Sequence, residues 1–224
     1  VAHEDALFHK NAVAQIPVPS ELPDQRTVSF LFAERDHFLD FAVRLRHLAE
    51  NEEVHTVLLR IRSVNMDLGR LQEIRSLIGS LRKKGKFVVA YLEGFDLKEY
   101  YLATAADRIL LYPHGHLELL GLKIEGMFFK GTLDWLGVVP QFVRAGDYKG
   151  APEQFTEKEF SAKHRENLDS MLGDLFDQVV DGITEGRRLP REKVTALVDR
   201  GFFSTQDALS EGLIDGTATW EEAQ

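Results

Sequence analysis

Residues 87–92 read Phe-Val-Val-Ala-Tyr-Leu, an almost unbroken apolar run. Such a run is typical of a strand in a parallel sheet, where both faces are covered. Upstream, residues 54–61 predict a second short buried strand, and residues 69–84 predict a helix whose apolar side chains recur every three or four positions. Gly85 suits the C-terminal end of that helix. A strand, a helix and a strand in this order are the signature of an α/β fold.

The same alternation continues on both sides of this unit. Downstream, residues 100–106 predict a short helix rich in small residues, and residues 108–112 predict a further strand that ends at Pro113. Upstream, residues 27–32 predict a strand and residues 37–48 a helix. The chain is therefore predicted to have an α/β fold.

The domain organisation follows from composition. Residues 1–26 contain three prolines, and we expect them to form an irregular N-terminal arm. Residues 27–218 are predicted to form one folded domain. Within it, residues 117–143 should add shorter strands around a small helix. A capping box at residues 156–159, Thr-Glu-Lys-Glu, predicts the start of a long helix that ends near Arg188.

Composition also excludes several functions. The 224 residues carry a formal net charge of −9, so nucleic acid is not the expected partner, because phosphate binding requires basic surface. The absence of cysteine excludes disulfides and thiolate metal sites. No apolar run approaches the roughly 20 residues of a membrane span, and no signal-peptide pattern is present. Because the chain begins at Val1, we expect that it was cut from a longer protein, whose N-terminal anchor could lie outside it.

The candidate catalytic residue is Lys149, within Phe-Val-Arg-Ala-Gly-Asp-Tyr-Lys-Gly-Ala-Pro-Glu-Gln-Phe-Thr at residues 142–156. Apolar residues at 138–143 predict a strand before it, and the long helix follows it. A lysine held between two packed elements loses water and favours its neutral form, which is a general base. The alternative is an ordinary solvated turn lysine. Asp147, close in sequence, is expected to point to solvent or to a partner.

Other residue types offer weaker candidates. His114 and His116 could form half of a metal site, but no further ligands accompany them at a suitable spacing, so the alternative is a turn with two exposed histidines. Five serines are candidate nucleophiles by residue type, but none follows a glycine-rich turn that would present it: Ser63, Ser76, Ser80, Ser161 and Ser170.

Three sequence blocks carry a family resemblance. The first is Tyr-Tyr-Leu-Ala-Thr-Ala-Ala-Asp-Arg-Ile at residues 100–109, and the last is Ala-Leu-Ser-Glu-Gly-Leu-Ile-Asp at residues 208–215. The middle block is Gly-Asp-Tyr-Lys-Gly-Ala at residues 146–151, followed by Glu153, Phe155, Ser161 and Arg165. In order and spacing, across about residues 54–218, these blocks resemble the signal peptide peptidase A family (peptidase family S49) of serine peptidases.

The resemblance implies a ClpP/crotonase-like fold with stacked βαβ units, a mostly parallel central sheet and a long C-terminal helical region. It implies that Lys149 is the general base of a Ser-Lys dyad, which takes the proton of a serine that attacks a peptide carbonyl. The substrates would be signal peptides or similar apolar peptides, at the extracytoplasmic (periplasmic) face of a bacterial cell membrane. No cofactor, metal or nucleic acid is implied.

The serine of that dyad has no counterpart in this chain. Alignment of the two aromatic residues of the first block places Leu97 where the family has its nucleophile, and Lys98 and Glu99 follow where the family has glycines. The glycine pair of the family's oxyanion hole is also missing from residues 64–69. Gly150 stands where the family usually has a serine.

The resemblance therefore implies that the chain is the N-terminal, lysine-bearing copy of a two-copy protein. A C-terminal domain or another subunit of an oligomer would supply the serine, and the chain alone would be inactive. Membrane association would come from a segment outside it. Residues 117–136 and 157–187 are expected to present apolar surface to a partner. The alternative is a non-catalytic scaffold or peptide-binding module of the same fold, in which Lys149 is a remnant.

Overall fold

A computed structural model of the chain describes residues 12–24, 37–143, 145–146 and 148–224. The described chain divides into two compact units. The first unit contains the residues up to Leu120 together with Val180–Gln224, and the second contains Gly121–Val179. The strand predicted at residues 27–32 lies outside the described residues.

The first unit is built on a five-stranded, all-parallel sheet in the order β1-β2-β3-β4-β7. Its strands are β1 Ala12–Val18, β2 Val54–Ile61, β3 Phe87–Leu92, β4 Arg108–Leu111 and β7 Gly216–Thr217. A separate antiparallel pair joins β5 His116–Glu118 to β6 Phe202–Ser204. The predictions for β2 and β3 are confirmed at both ends. β3 is apolar and buried beyond Phe87, and most of β2 is apolar and buried, although His55 is exposed.

Helices surround this sheet. They are α1 Phe38–Glu50, α2 Leu68–Lys83, α3 Leu97–Ala103, α7 Arg191–Arg200, α8 Thr205–Ser210 and α9 Trp220–Ala223. The side chain of Asp67 caps α2 by accepting a hydrogen bond from the backbone N–H of Arg70, and the apolar stripe of α2 is buried. The α/β prediction is therefore confirmed, and the helices predicted at 37–48 and 69–84 are present with ends shifted by one or two residues.

The second unit contains two short helices, α4 Lys130–Trp135 and α5 Glu153–Thr156, and the larger part of α6 Ala162–Arg187. Phenylalanine rings pack within it: Phe155 stacks between Phe129 and Phe142, with ring centroids 5.9 and 5.8 Å away. The small helix predicted near residue 131 is confirmed. The shorter strands predicted across 117–143 are wrong beyond β5, because the described residues from 121 to 143 contain no strand.

Two further predictions were wrong in part. The N-terminal arm is not irregular throughout, because Ala12–Val18 pairs in parallel with β2 and buries Ile16 and Val18. Pro17 is tolerated there since β1 is an edge strand. The long helix does not start at the predicted capping box. The Thr156 hydroxyl instead donates to the Pro152 carbonyl, and α6 begins six residues later.

Candidate active site

Lys149 lies in an exposed turn of the second unit, between residues that are held in place. The backbone N–H of Gly150 donates to the Tyr148 carbonyl at 3.1 Å, and the Tyr148 hydroxyl lies 3.4 Å from Glu166 Oε2. The apolar residues at 138–143 form no strand and are mostly exposed. The expected burial of Lys149 between a strand and a helix is therefore wrong for this chain alone. Asp147 lies outside the described residues.

A buried carboxylate organises the chain directly after Lys149. Glu153 is 1% exposed, and its Oε1 accepts a hydrogen bond of 2.6 Å from the Ser161 hydroxyl. Its Oε2 accepts the Ser161 backbone N–H at 3.0 Å and lies 2.9 Å from His164 Nδ1. The Ser161 hydroxyl in turn accepts the backbone N–H of His164, so Ser161 caps α6. The cluster of Glu153, Ser161 and His164 thus fixes the helix start against the lysine turn.

The charge of Glu153 is stabilised by these contacts. Burial opposes ionisation of the carboxyl, but the hydrogen bonds from Ser161 and His164 outweigh burial and lower its pKa to about 2. An acid with a depressed pKa stabilises the fold above its unfolded-state pKa, here the ordinary value of 4.5. This contribution is present at neutral pH and is lost as the pH falls from 4.5 towards about 2.

His164 also explains why residue 150 is glycine. A Cβ placed on Gly150 would lie 2.0 Å from His164 Nδ1 and 2.3 Å from the neighbouring ring carbons, far inside normal contact. The imidazole therefore occupies the space that a serine side chain would take. Sequence reasoning missed this relation, although the glycine at 150 and the histidine three residues after Ser161 were both visible in the sequence.

The position that aligns with the family's nucleophile belongs to the first unit. Leu97 is the first residue of α3 and is buried, so its side chain is part of the core. The ammonium of Lys98 donates to the Met66 carbonyl at 2.9 Å, in the loop that follows β2. A leucine offers no group that could attack a carbonyl. The start of α3 is therefore buried, and the side chain at residue 97 is not a nucleophile.

Glu99, two residues after Leu97 in α3, also contacts the loop that follows β2. Its side chain is buried, and Oε1 accepts the backbone N–H of Val64 at 2.5 Å. Val64 opens the segment in which the family resemblance leads one to expect an oxyanion-hole glycine pair. The second oxygen, Oε2, is buried without a hydrogen-bond partner among the described residues. An internal carboxylate thus occupies this backbone donor.

Burial raises the pKa of Glu99 to about 7, and the neighbouring Asp96 carboxyl raises it further, against a smaller effect of the Val64 N–H. An acid with a raised pKa favours the folded state only when it is protonated. Stability linked to Glu99 is therefore full below its ordinary value of 4.5 and is lost as the pH rises from 4.5 to about 7.

The variant Glu99→Gln tests this assignment. The amide oxygen can still accept the Val64 N–H, and no charge is buried. We expect the free energy of unfolding in urea at pH 8 to rise by about 1–3 kcal/mol, since one unit of pKa corresponds to about 1.4 kcal/mol. The gain should vanish below pH 4.5. Glu52→Gln, an exposed matched control, should leave stability unchanged. If the stability of Glu99→Gln fell as much as that of the wild type between pH 4.5 and pH 8, the assignment would be contradicted.

The two histidines of residues 114–116 pack against aromatic rings. His116 stacks on Phe202 with centroids 5.7 Å apart, and His114 meets the edge of the Tyr112 ring. Within the described ranges, no group of three or more His, Asp or Glu side chains is arranged to hold a metal ion. Likewise, none of the helices described is both long and apolar enough to cross a membrane.

Comparison with known proteins places these features in a family. Residues 80–224 match the sequence profile of Peptidase family S49. The chain is 31% identical over 166 residues to the chloroplastic serine protease SPPA of Arabidopsis thaliana, covering 74% of this chain and 24% of that protein. It is 34% identical over 128 residues to Protease 4 of Haemophilus influenzae, covering 57% of this chain and 21% of that protein. The chain thus spans about a quarter or less of either relative.

Solved structures agree with the fold. A mutant of a membrane-bound stomatin-specific protease matches with a TM-score of 0.54 and 12% identity, over 93% of this chain and 80% of that chain. A second mutant of that protease, in complex with a substrate peptide, matches with a TM-score of 0.53 and 11% identity. The α/β architecture with its mostly parallel sheet is ClpP/crotonase-like, as expected from the sequence. By the profile match over residues 80–224, the chain belongs to peptidase family S49.

Proposed function

We propose that this chain is the lysine-bearing half of a Ser-Lys dyad endopeptidase, whose serine is supplied by another domain or subunit. The observation that carries the proposal is the contrast between residue 97, which aligns with the family's nucleophile, and Lys149. Leu97 and Glu99 are buried and close the place of the nucleophile, whereas Lys149 lies exposed on a turn. An exposed amine on a fixed turn is accessible to a group from outside the chain.

The cluster below the turn supports this role. Glu153 and Ser161 hold the residues after Lys149 through hydrogen bonds of 2.6 and 3.0 Å, so the turn has a defined backbone. A general base acts only when it is positioned within hydrogen-bonding reach of the proton it takes. Docking of a serine-bearing partner would also remove water from the amine and favour its neutral form. The partner would thus complete both the geometry and the protonation state.

The reaction would be acyl transfer to a serine. The neutral amine of Lys149 accepts the proton of the partner's serine as its oxygen attacks the peptide carbonyl, and the resulting ammonium protonates the departing amine. Water then releases the acyl group from the serine. The substrates proposed are signal peptides or similar apolar peptides, and the site of action is the extracytoplasmic face of a bacterial cell membrane.

The partner would meet an apolar surface on the second unit. Large apolar side chains are exposed there, with Trp135 83%, Val139 80% and Val143 fully exposed. No residue of α4 is buried. Contiguous exposed apolar patches on monomeric proteins rarely exceed a few hundred Å². A larger patch marks an interaction site. Assembly with further copies or with the serine-bearing domain would cover these side chains.

The first test uses the 224-residue chain alone. We expect no peptide hydrolysis and no labelling by a serine-reactive phosphonate, because the described residues offer no serine in a glycine-rich turn and Leu97 stands at the aligned position. The full-length protein is the positive control and should be labelled once, outside these 224 residues. Labelling of any serine within this chain would contradict the proposal. Failure to label either protein would favour the non-catalytic scaffold.

A further inference from the structure

A polar cavity lies in the first unit, at the opposite end of the parallel strands from Leu97 and Val64. Leu97 and Val64 follow the carboxyl ends of β3 and β2, whereas this cavity is formed around the residues that precede β4 and β7. Its volume is about 570 Å³. The lining includes Arg75, Arg82, Asp107, Glu185, Arg188 and the carboxylate of Asp215. A volume of this size accommodates a small molecule.

Arg75 is a largely buried cation in the cavity wall. Its guanidinium donates to the Thr104 hydroxyl at 2.7 Å, to the Gly182 carbonyl at 3.0 Å and to the Tyr101 carbonyl, and it stacks on the Tyr101 ring. All these acceptors are neutral. Burial lowers the pKa of Arg75, against the attraction of Tyr101 and Glu185. In the described part of the chain, no carboxylate lies within ion-pairing distance of it, so its charge is uncompensated at close range.

Most of the other charges in the wall are already paired. Asp107 binds Arg82 Nε at 2.7 Å, and Asp215 binds Arg187 at 2.7 Å. The remaining charged residues of the lining are two cations, Arg75 and Arg188, and one carboxylate, that of Glu185. The wall therefore carries an excess of positive charge, which favours an anionic occupant.

Arg188 is held in a backbone conformation that arginine rarely adopts. It directly follows the last residue of α6, and its φ of 54° is the only positive value among non-glycine residues in the described chain. Glycine or asparagine is the usual residue at such a helix end. Residues in sparsely populated backbone regions concentrate at functional sites, where the side chain has a use that offsets the strain. Here the strained residue is an arginine that lines the same cavity as Arg75.

We infer that this cavity binds a small polar molecule through a carboxylate or phosphate group, held by Arg75 and Arg188. Guanidinium groups bind both oxyanions through paired N–H donors, and such charge-assisted bonds are shorter and stronger than neutral ones. The inference is independent of the dyad proposal. The cavity lies at the opposite end of the parallel strands from Leu97, and it involves neither Lys149 nor a partner.

Binding can be measured on the 224-residue chain. Titration calorimetry with inorganic phosphate and with citrate separates the two chemistries, with sodium chloride of equal ionic strength as the reference. A bound anion stabilises the native state, so the melting temperature should also rise with its concentration. Backbone amide NMR signals should change at residues 104–107 and 185–188. Absence of a rise above the chloride reference with both anions, or signal changes only elsewhere, would overturn the inference.

The variant Arg188→Gly distinguishes binding from structure. Glycine adopts a positive φ without strain, so the variant should be at least as stable as the wild type without anion. Its affinity for the anion should fall by about tenfold or more, because a charge-assisted contact is lost. The exposed Arg46→Gln makes the same charge change outside the cavity and should bind as the wild type does. Equal affinity of Arg188→Gly and wild type would overturn the assignment.

Discussion

Replacement of Lys149 by arginine in the full-length protein is expected to reduce peptide hydrolysis by about 10²–10⁴-fold, the usual contribution of a general base. Replacement by alanine should have the same effect. The guanidinium keeps the positive charge but stays protonated in proteins, so it cannot accept the serine proton. Because Lys149 is exposed, folding and assembly should be unchanged, which circular dichroism and sedimentation would check.

The controls separate base catalysis from a general electrostatic role. Lys158→Arg and Lys158→Ala alter another exposed lysine of the same unit and should leave turnover unchanged. An arginine variant that retains more than about a tenth of wild-type turnover is incompatible with the dyad, given a general-base contribution of that size. It would favour the scaffold alternative.

The substitution Gly150→Ser is expected to lower the free energy of unfolding by about 3 kcal/mol, through overpacking and the loss of a hydrogen bond to a buried carboxylate. The new Cβ would displace the His164 ring, which lies 2.0 Å away from its position. Rotation of the ring would break its contact with Glu153 Oε2 and its edge contact with Phe160. Urea denaturation measures the change.

The double variant Gly150→Ser, His164→Ala makes the test specific. Removal of the ring opens the space for the serine, so the two changes should be non-additive, with the double variant more stable than the sum predicts by about 1 kcal/mol or more. Gly131→Ser is the matched control, because nothing lies within 4 Å of the added Cβ there. Additive effects would show that the ring and residue 150 do not compete for the same space.

Most of the strands and helices that the sequence predicted correctly have apolar residues buried within one unit, and α4, which has no buried residue, is an exception. The strand at residues 87–92 was predicted at both ends because its apolar run is buried in the sheet. The apolar residues at 138–143 gave a similar pattern, yet they form no strand and Val139 is 80% exposed. The spacing of apolar residues indicates that their side chains are shielded from water. It does not indicate whether the same chain or a partner covers them.

The polar interior was less predictable. The Thr-x-x-Glu pattern at residue 156 predicted the start of α6, but the helix begins after Ser161, because the buried Glu153 carboxylate binds the Ser161 hydroxyl and backbone. The position of Leu97 followed from alignment with the family, whereas the contact of Glu99 with Val64 required coordinates, since the two residues are 35 positions apart. Local patterns describe local hydrogen bonds, and these contacts are long-range or depend on burial.

The contact between Glu99 and the Val64 N–H means that serine at residue 97 would not by itself create a site for a substrate oxygen. A variant with serine at residue 97 would still have a carboxylate on this backbone donor, and an ionised carboxylate would repel the negative charge that develops on a substrate oxygen. Replacement of Glu99 by glutamine would remove the charge and stabilise the fold, but its amide oxygen would still occupy the Val64 N–H. A serine nucleophile at residue 97 with a free backbone donor beside it would therefore require at least two substitutions, one at Leu97 and one that leaves the Val64 N–H unoccupied.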